Sequence, residues 1–211
     1  MKTDALIDLL AREAGPAPRA LVARRLLPAA LGGLAASVAV AIAWIGLLPA
    51  ATFASLVPWT KIAYAAALAA SAGWLTARLS RPAAPATLAG RATAAVVTTM
   101  LVVGAVALWS SPEGARSAAV FGESWLACPS RVLALSLPAL AAALWAVRGL
   151  GPTRLRSAGF AAGLMAGSLG AIGYALSCPE SSPTFVALWY TTGIALVAAV
   201  GAALGPRVLR W

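Results

Sequence analysis

The stretch LLPAALGGLAASVAVAIAWIGLL, residues 26–48, carries no charged side chain. A helix of about 20 apolar residues crosses the hydrocarbon core of a bilayer, and this stretch reaches that length. It is longer than the apolar part of a secretory signal peptide, which has roughly 7 to 15 residues, and it lacks a convincing small-residue cleavage site. The stretch therefore predicts a transmembrane helix that stays in the mature protein.

Similar apolar stretches recur along the chain, in which 61% of the residues are hydrophobic and 10% are charged. Each stretch is continuously apolar rather than alternating. A spanning segment must also satisfy its own backbone hydrogen bonds, so each is predicted to be a helix. The predicted fold is all-α, a polytopic membrane protein with six transmembrane helices near residues 27–48, 60–79, 90–109, 131–148, 157–177 and 184–204. Residues 1–25 form an N-terminal arm in this prediction, and residues 26–211 form the transmembrane domain.

The basic residues predict how the six helices are oriented. All of the 16 lysines and arginines except Lys61, Arg116 and Arg131 fall in the arm, in the second-to-third and fourth-to-fifth connections, or at the C-terminus. Loops rich in lysine and arginine remain in the cytoplasm. Both termini are therefore predicted to be cytoplasmic.

The two cysteines, Cys128 and Cys178, are each followed by proline at the edge of an apolar segment. The predicted topology places both on the extracytoplasmic face, where a disulfide can persist. Cys128 is predicted to be the N-cap of the fourth spanning helix, because a residue before proline avoids the α conformation. Three interpretations remain open: a structural disulfide, a thiol pair that responds to oxidants or soft metal ions, and two unrelated buried thiols.

Catalytic side chains are scarce. The chain has no histidine, and its six acidic residues lie in the arm or in outer loops rather than in the middle of a predicted span. A proton- or ion-coupled transporter usually requires such intramembrane charges. A membrane thiol oxidoreductase usually carries a C-x-x-C pair and a second pair to relay electrons. We expect neither an enzyme nor a cofactor, although an oxidoreductase or a small transporter remains the alternative.

The first 16 residues, MKTDALIDLLAREAGP, predict a short amphipathic helix that stops at a glycine–proline pair. Its apolar side could lie on the membrane surface or dock into a groove on a cytosolic protein. The residues predicted to bind a partner are Asp4, Leu6, Ile7, Asp8, Leu9 and Leu10.

Helix five carries glycines at four-residue spacing, at Gly159, Gly163 and Gly167. Such a stripe lets a second helix approach closely. The partner helix could belong to the same chain or to a second copy in a homodimer.

Three stretches resemble the negative regulator of sigma-F family (NrsF-type): the arm MKTDALIDLLAREAGP, CPSRVLALSLPALAAALWAVRGLGPTR at 128–154, and YALSCPESSPTFVALWYTTGIALVAAVGAALGPRVLRW at 174–211. The resemblance runs over essentially the whole chain and is strongest in its last part. It implies a six-helix anti-sigma factor in the bacterial inner membrane that holds an extracytoplasmic-function sigma factor inactive, without binding nucleic acid directly.

The same resemblance implies roles for particular residues. Cys128 and Cys178 match the family's paired periplasmic cysteines, which are needed for release of the sigma factor under heavy-metal or oxidative stress. The cytoplasmic arm is implied to contribute to sigma binding.

Overall fold

The computed structural model describes residue 3 and residues 7–9, 20–82 and 84–210, and every regular element within them is helical. The helices are α1 (Leu21–Trp44), α2 (Val57–Leu79), α3 (Thr87–Ser110), the short α4 (Arg116–Phe121), α5 (Ala127–Arg148), α6 (Leu155–Ala175) and α7 (Pro183–Val208). Single 3-10 turns cover Ala50–Ala54 and Glu113–Ala115. Asp4, Leu6 and Leu10 of the predicted partner-binding set lie outside the described residues.

Six of these helices, all except α4, are long and apolar enough to cross a membrane. This finding confirms the prediction of an all-α protein with six helices that are long and apolar enough to span a membrane. The helix bounds differ from the prediction by several residues: α1 begins at Leu21 rather than near 27, and α7 continues to Val208 rather than 204. Hydropathy marks only the part of a helix that suits lipid, whereas backbone hydrogen bonding decides where the helix ends. Because arginine is a good helix former, a helix can continue past the apolar run into residues such as Arg24 and Arg25.

Helix α6 is the centre of the bundle. In the most apolar 18-residue window of α6, 89% of the residues are buried inside the protein, against 11% for α3. It packs against α1, α2, α5 and α7. A helix in such a central position needs small side chains. Helix α6 is rich in glycine and alanine, which allow neighbouring backbones to approach.

Successive spanning helices run in opposite directions, so the bundle has two distinct ends. At the end that we call the cysteine end, the backbone N–H of Leu48 donates to the carbonyl of Leu176, and Thr184 Oγ1 donates to the carbonyl of Gly104. At the opposite end, which we call the arginine end, the Arg25 side chain lies over Gly149. The arginine end carries Arg24, Arg25, Arg78, Arg81, Arg91, Arg148, Arg154, Arg156, Arg207 and Arg210.

Candidate thiol site

Cys128 lies in the first turn of α5, at the cysteine end. Its backbone N–H donates to the carbonyl of Ser124 over 2.8 Å, and its side chain is completely buried. The prediction that Cys128 is an N-cap is wrong, because the N-cap is Leu126 and the helix begins at Ala127. Proline tolerates an early position in a helix, where its missing N–H would have no partner anyway, so the helix starts before Pro129.

Cys178 lies in the connection between α6 and α7, just after α6 ends at Ala175. Its side chain is also completely buried. Both cysteines are free thiols in the structure rather than partners in a disulfide. Both cysteines belong to the same buried cluster of side chains, and Glu180, two residues after Cys178, hydrogen-bonds to Ser124, four residues before Cys128. The two segments that carry the sequence's only cysteines therefore meet in one buried region.

Lys61 joins this region from α2, and no functional role is predicted for it from the sequence. Only 1% of its surface is exposed, and its Nζ donates a hydrogen bond of 2.7 Å to the carbonyl oxygen of Cys178. In the described part of the chain, the single ion pair within 4 Å is Arg116–Glu113, so Lys61 is held by a carbonyl rather than a carboxylate. The sequence does contain one signal that could have pointed to Lys61. It is a lysine in the first turns of a predicted span, in a chain where almost every basic residue is arginine.

Glu180 ties the two cysteine-bearing segments together. One of its carboxylate oxygens accepts hydrogen bonds from the backbone N–H of Glu123 at 2.8 Å, the N–H of Ser124 at 2.9 Å and the Ser124 hydroxyl at 2.8 Å. Ser124 in turn accepts from the N–H of Cys128. One carboxylate therefore links the loop after Cys178 to the turn that leads into Cys128.

Gly122 makes room for this carboxylate. Its φ of 51° lies in the left-handed region, and a Cβ at this position would collide with the Glu180 carboxylate. Only glycine meets both requirements without strain. The contact thus joins Gly122 and Glu180, two residues that lie far apart in the sequence.

Two buried tyrosines complete the region. Tyr174 on α6 and Tyr190 on α7 have ring centroids 5.7 Å apart and no exposed surface. Both hydroxyls lie near Cys178, and that of Tyr174 also lies near Arg131. Neither has a partner at hydrogen-bonding geometry among the described residues, and the same is true of the neighbouring Ser177 hydroxyl. Tyr190 ends a π-helical turn, Val186–Tyr190, and such turns occur frequently at functional sites.

The donor atoms limit what this region can bind. No group of three or more histidine, cysteine, aspartate or glutamate side chains capable of holding a metal ion occurs within the described ranges. Two thiols without histidine suit a soft metal ion, or oxidation to a disulfide, better than a hard cation. The arrangement is therefore suited to soft-metal or redox chemistry.

The other predicted site residues lie elsewhere. Ile7, Asp8 and Leu9 are helical and exposed. The glycine stripe of α6 faces α7 of the same chain. A Cβ at Gly163 would lie 2.6 Å from the carbonyl oxygen of Val197, and one at Gly167 would lie 3.1 Å from Ile194 Cα. Gly159 contacts Gly201 in the same way. The glycine stripe is therefore covered by α7 of the same chain.

The family model described as "Negative regulator of sigma F" matches residues 10–211. The chain is 40% identical over 215 residues to the "Anti-sigma-F factor NrsF" of Caulobacter vibrioides, and 38% identical over 213 residues to the "Probable anti-sigma-F factor NrsF" of Azospira oryzae. Both alignments cover 100% of each chain.

No solved structure matches the chain. The names of both relatives describe regulatory proteins rather than enzymes, as expected from the sequence. The family match and the two full-length relatives agree, and they agree with the resemblance in the sequence. The chain belongs to the negative regulator of sigma F family.

Proposed function

We propose that the protein is an inner-membrane anti-sigma factor that sequesters an extracytoplasmic-function sigma factor and releases it when Cys128 and Cys178 react with a heavy metal ion or an oxidant. The names of the two relatives support the anti-sigma activity. The observation that carries the sensing part is the meeting of two free, buried thiols at one end of the bundle, opposite an end rich in arginine.

The arginine end faces the cytoplasm in this proposal. Arginine-rich loops stay on the cytoplasmic side of a bilayer, and all the described arginines except Arg116 and Arg131 lie at the arginine end. The cysteine end then faces the periplasm, where thiols are not kept reduced by the cytosolic glutathione and thioredoxin systems. A C-terminal alkaline phosphatase fusion should be inactive, and an active fusion would contradict this orientation.

The docking surface for the sigma factor comprises the N-terminal arm and the arginine end. Ile7 and Leu9 expose more than half of their surface on a helical segment, which leaves an apolar side for a protein groove. Beside the ends of α6 and α7, a cleft is lined by Arg156, Arg207 and Arg210. Because arginine forks pair with carboxylates, acidic side chains on the sigma factor suit this cleft.

The signal reaches this surface through α5, α6 and α7. Oxidation removes two electrons and two protons from the thiols and forms one S–S bond, while a peroxide or disulfide accepts the electrons. A divalent soft ion instead displaces the two protons and bonds both sulfurs. Either reaction fixes the distance between the start of α5 and the end of α6. Helix α6 contacts α7 through Gly159 and Gly163, so a shift of α6 moves α7 at the arginine end.

The free energy needed to release the sigma factor is comparable with the free energy that a disulfide or a metal site can contribute. Moving a partner from about 99% bound to about 1% bound requires a change of about 5.5 kcal/mol. A disulfide that closes a loop of about 50 residues contributes roughly 4 kcal/mol in the chain-entropy model, and structural metal sites can contribute more.

Affinity purification from membranes of the native host tests the proposal. We expect a sigma factor to co-purify with the protein and to elute when Cd²⁺ or a thiol oxidant is added to the washed complex. The Cys178→Ser variant should retain its partner under both treatments. Recovery of no sigma factor would contradict the anti-sigma activity. Retention by the unmodified protein after both treatments would contradict the sensing mechanism.

A further inference from the structure

The hydroxyl groups of Tyr174 and Tyr190 lie beside the Cys178 side chain but make no hydrogen bond of good geometry in the resting structure. Both side chains are completely buried, and neither hydroxyl has a hydrogen-bond partner in the part of the chain that the structure describes. A buried hydroxyl without a partner is unfavourable, whereas phenylalanine would fill the same space without this cost. Packing alone therefore does not account for these two hydroxyls, and such groups call for an explanation such as an unfilled binding role.

The third tyrosine of the chain, Tyr64, has a hydrogen-bond partner for its hydroxyl. The Tyr64 hydroxyl is paired with the Thr191 hydroxyl at 2.7 Å, across α2 and α7. The contrast is informative because all three tyrosines are buried in the same bundle. Only the two near Cys178 lack a partner, which connects the missing hydrogen bonds to the thiol site rather than to tyrosine in general.

We propose that Tyr174 and Tyr190 donate hydrogen bonds to the Cys178 sulfur when this sulfur has bound a thiophilic metal ion, so that the metal site consists of two thiols supported by two phenols. The inference rests on the proposed response of the thiol pair. It adds the residues that hold the metal-bound form and names the ligand class, a soft divalent cation.

The chemistry of sulfur explains why the hydrogen bonds belong to the bound form. A neutral thiol is a weak acceptor, whereas a metal-bound thiolate carries negative charge and accepts charge-assisted hydrogen bonds. The phenol is a suitable donor, and its position on α6 or α7 is fixed by the packing of its ring. Partners of this kind orient metal ligands, and their removal typically weakens metal affinity by about 10- to 100-fold.

The position of the two rings gives the inference a structural consequence. Tyr174 lies near the end of α6, and Tyr190 ends the π-helical turn of α7. A sulfur that accepts from both hydroxyls would join α6, α7 and the Cys178 segment at one atom. Metal binding would thereby act on the α6–α7 pair directly, besides fixing Cys178 to Cys128 on α5.

Cadmium binding by the purified full-length protein in detergent tests the inference. Cd²⁺ is titrated while the ultraviolet absorption of the cadmium–thiolate bond is followed, and competition with a chelator gives the dissociation constant. We expect Tyr174→Phe and Tyr190→Phe each to weaken Cd²⁺ binding by about 10- to 100-fold. Tyr64→Phe, the matched control, should bind as tightly as the unmodified protein. Without metal, the Tyr174 and Tyr190 variants should unfold at the same temperature as the unmodified protein or higher.

The outcomes separate this inference from the proposed function. Equal Cd²⁺ affinity in all three tyrosine variants and the unmodified protein would overturn the role of the phenols and leave the thiol response intact. Equal weakening in Tyr64→Phe would also overturn it, because the effect would then be general. If the unmodified protein bound Cd²⁺ no better than Cys178→Ser, the metal response and this inference would both fail. Each phenol is tested by its own variant, so loss of folding in one leaves the other to decide.

Discussion

The Lys61 ammonium donates a hydrogen bond of 2.7 Å to the carbonyl oxygen of Cys178, a residue 117 positions further along the chain. This contact joins α2 to the segment between α6 and α7. Both partners are buried, so the carbonyl has no access to water. The contact therefore fixes the backbone of Cys178, the residue that carries the thiol.

We predict that Lys61→Met lowers the free energy of unfolding by about 1–3 kcal/mol, because the Cys178 carbonyl becomes a buried acceptor without a donor. Thermal unfolding in detergent measures the change. Arg116→Met is the control, since it removes a basic residue at the same end whose pairing with Glu113 is exposed and worth about 0–1 kcal/mol. Equal stability of the two variants would contradict a structural role for the Lys61 contact.

Glu180→Ala should expose the thiols. The substitution removes all three hydrogen bonds that one carboxylate oxygen accepts from Glu123 and Ser124. Hydrogen bonds to a charged group contribute about 1.5–3 kcal/mol each, so losing even one eases local opening and should speed labelling of the cysteines about 10- to 100-fold. The measurement is the rate of alkylation by a water-soluble maleimide.

The matched control for this experiment is Glu113→Ala. Glu113 is an exposed glutamate at the same end, and its one ion pair is the surface contact with Arg116. Its removal should leave the labelling rate unchanged. If Glu180→Ala were labelled no faster than the control, the carboxylate would not hold the two segments closed.

The six spanning helices could be predicted from the sequence because a bilayer imposes a length and a composition on each of them. The helix ends could not be predicted as well. Leu21 starts α1 well before the apolar run, and Ala127 starts α5 before the cysteine–proline pair. In both cases backbone hydrogen bonding continues past the position where hydropathy or a local cap would stop the helix.

The thiol site was predictable only in its two cysteines. Both cysteines precede a proline, and both fall on the same side of the predicted topology, so the sequence predicts that they lie at the same face of the membrane. The contacts of Lys61 and Glu180 depend on how distant helices pack, which neither periodicity nor spacing records. Tyr174 and Tyr190 resemble ordinary apolar positions of a membrane helix, and only the structure reveals that their hydroxyls lack partners.

We predict that Gly163→Ala destabilises the protein by about 1–3 kcal/mol, because overpacking forces α6 and α7 apart. The added Cβ would lie 2.6 Å from the Val197 oxygen and 2.7 Å from Ala198 Cα, both backbone atoms that cannot move alone. Gly32→Ala is the control, since a Cβ there has no neighbour within 4 Å among the described residues. It should raise stability by about 0.5–1 kcal/mol through helix propensity. Thermal unfolding in detergent compares the two, and a stabilised Gly163→Ala variant would contradict the close approach.

The thiols themselves give the last prediction. If Cys128 and Cys178 act as one site, then Cys128→Ser and Cys178→Ser should each abolish release of the sigma factor by Cd²⁺ or an oxidant, and the double variant should be no worse. Serine is a far weaker ligand for soft metals and cannot form a disulfide. The effects should not add, because a pair that has lost one member is already inactive.

The same variants distinguish sensing from structural support. Both thiols are free in the resting structure, so their replacement by serine removes no covalent link, and membrane abundance and partner binding should stay normal. A structural disulfide in the working protein would instead contribute about 2–4 kcal/mol, and either serine variant would then be depleted from the membrane. Quantitative immunoblotting of membranes, together with a reporter gene controlled by the sigma factor, measures both effects. Reduced abundance with intact induction in the surviving protein would contradict sensing and support a structural disulfide.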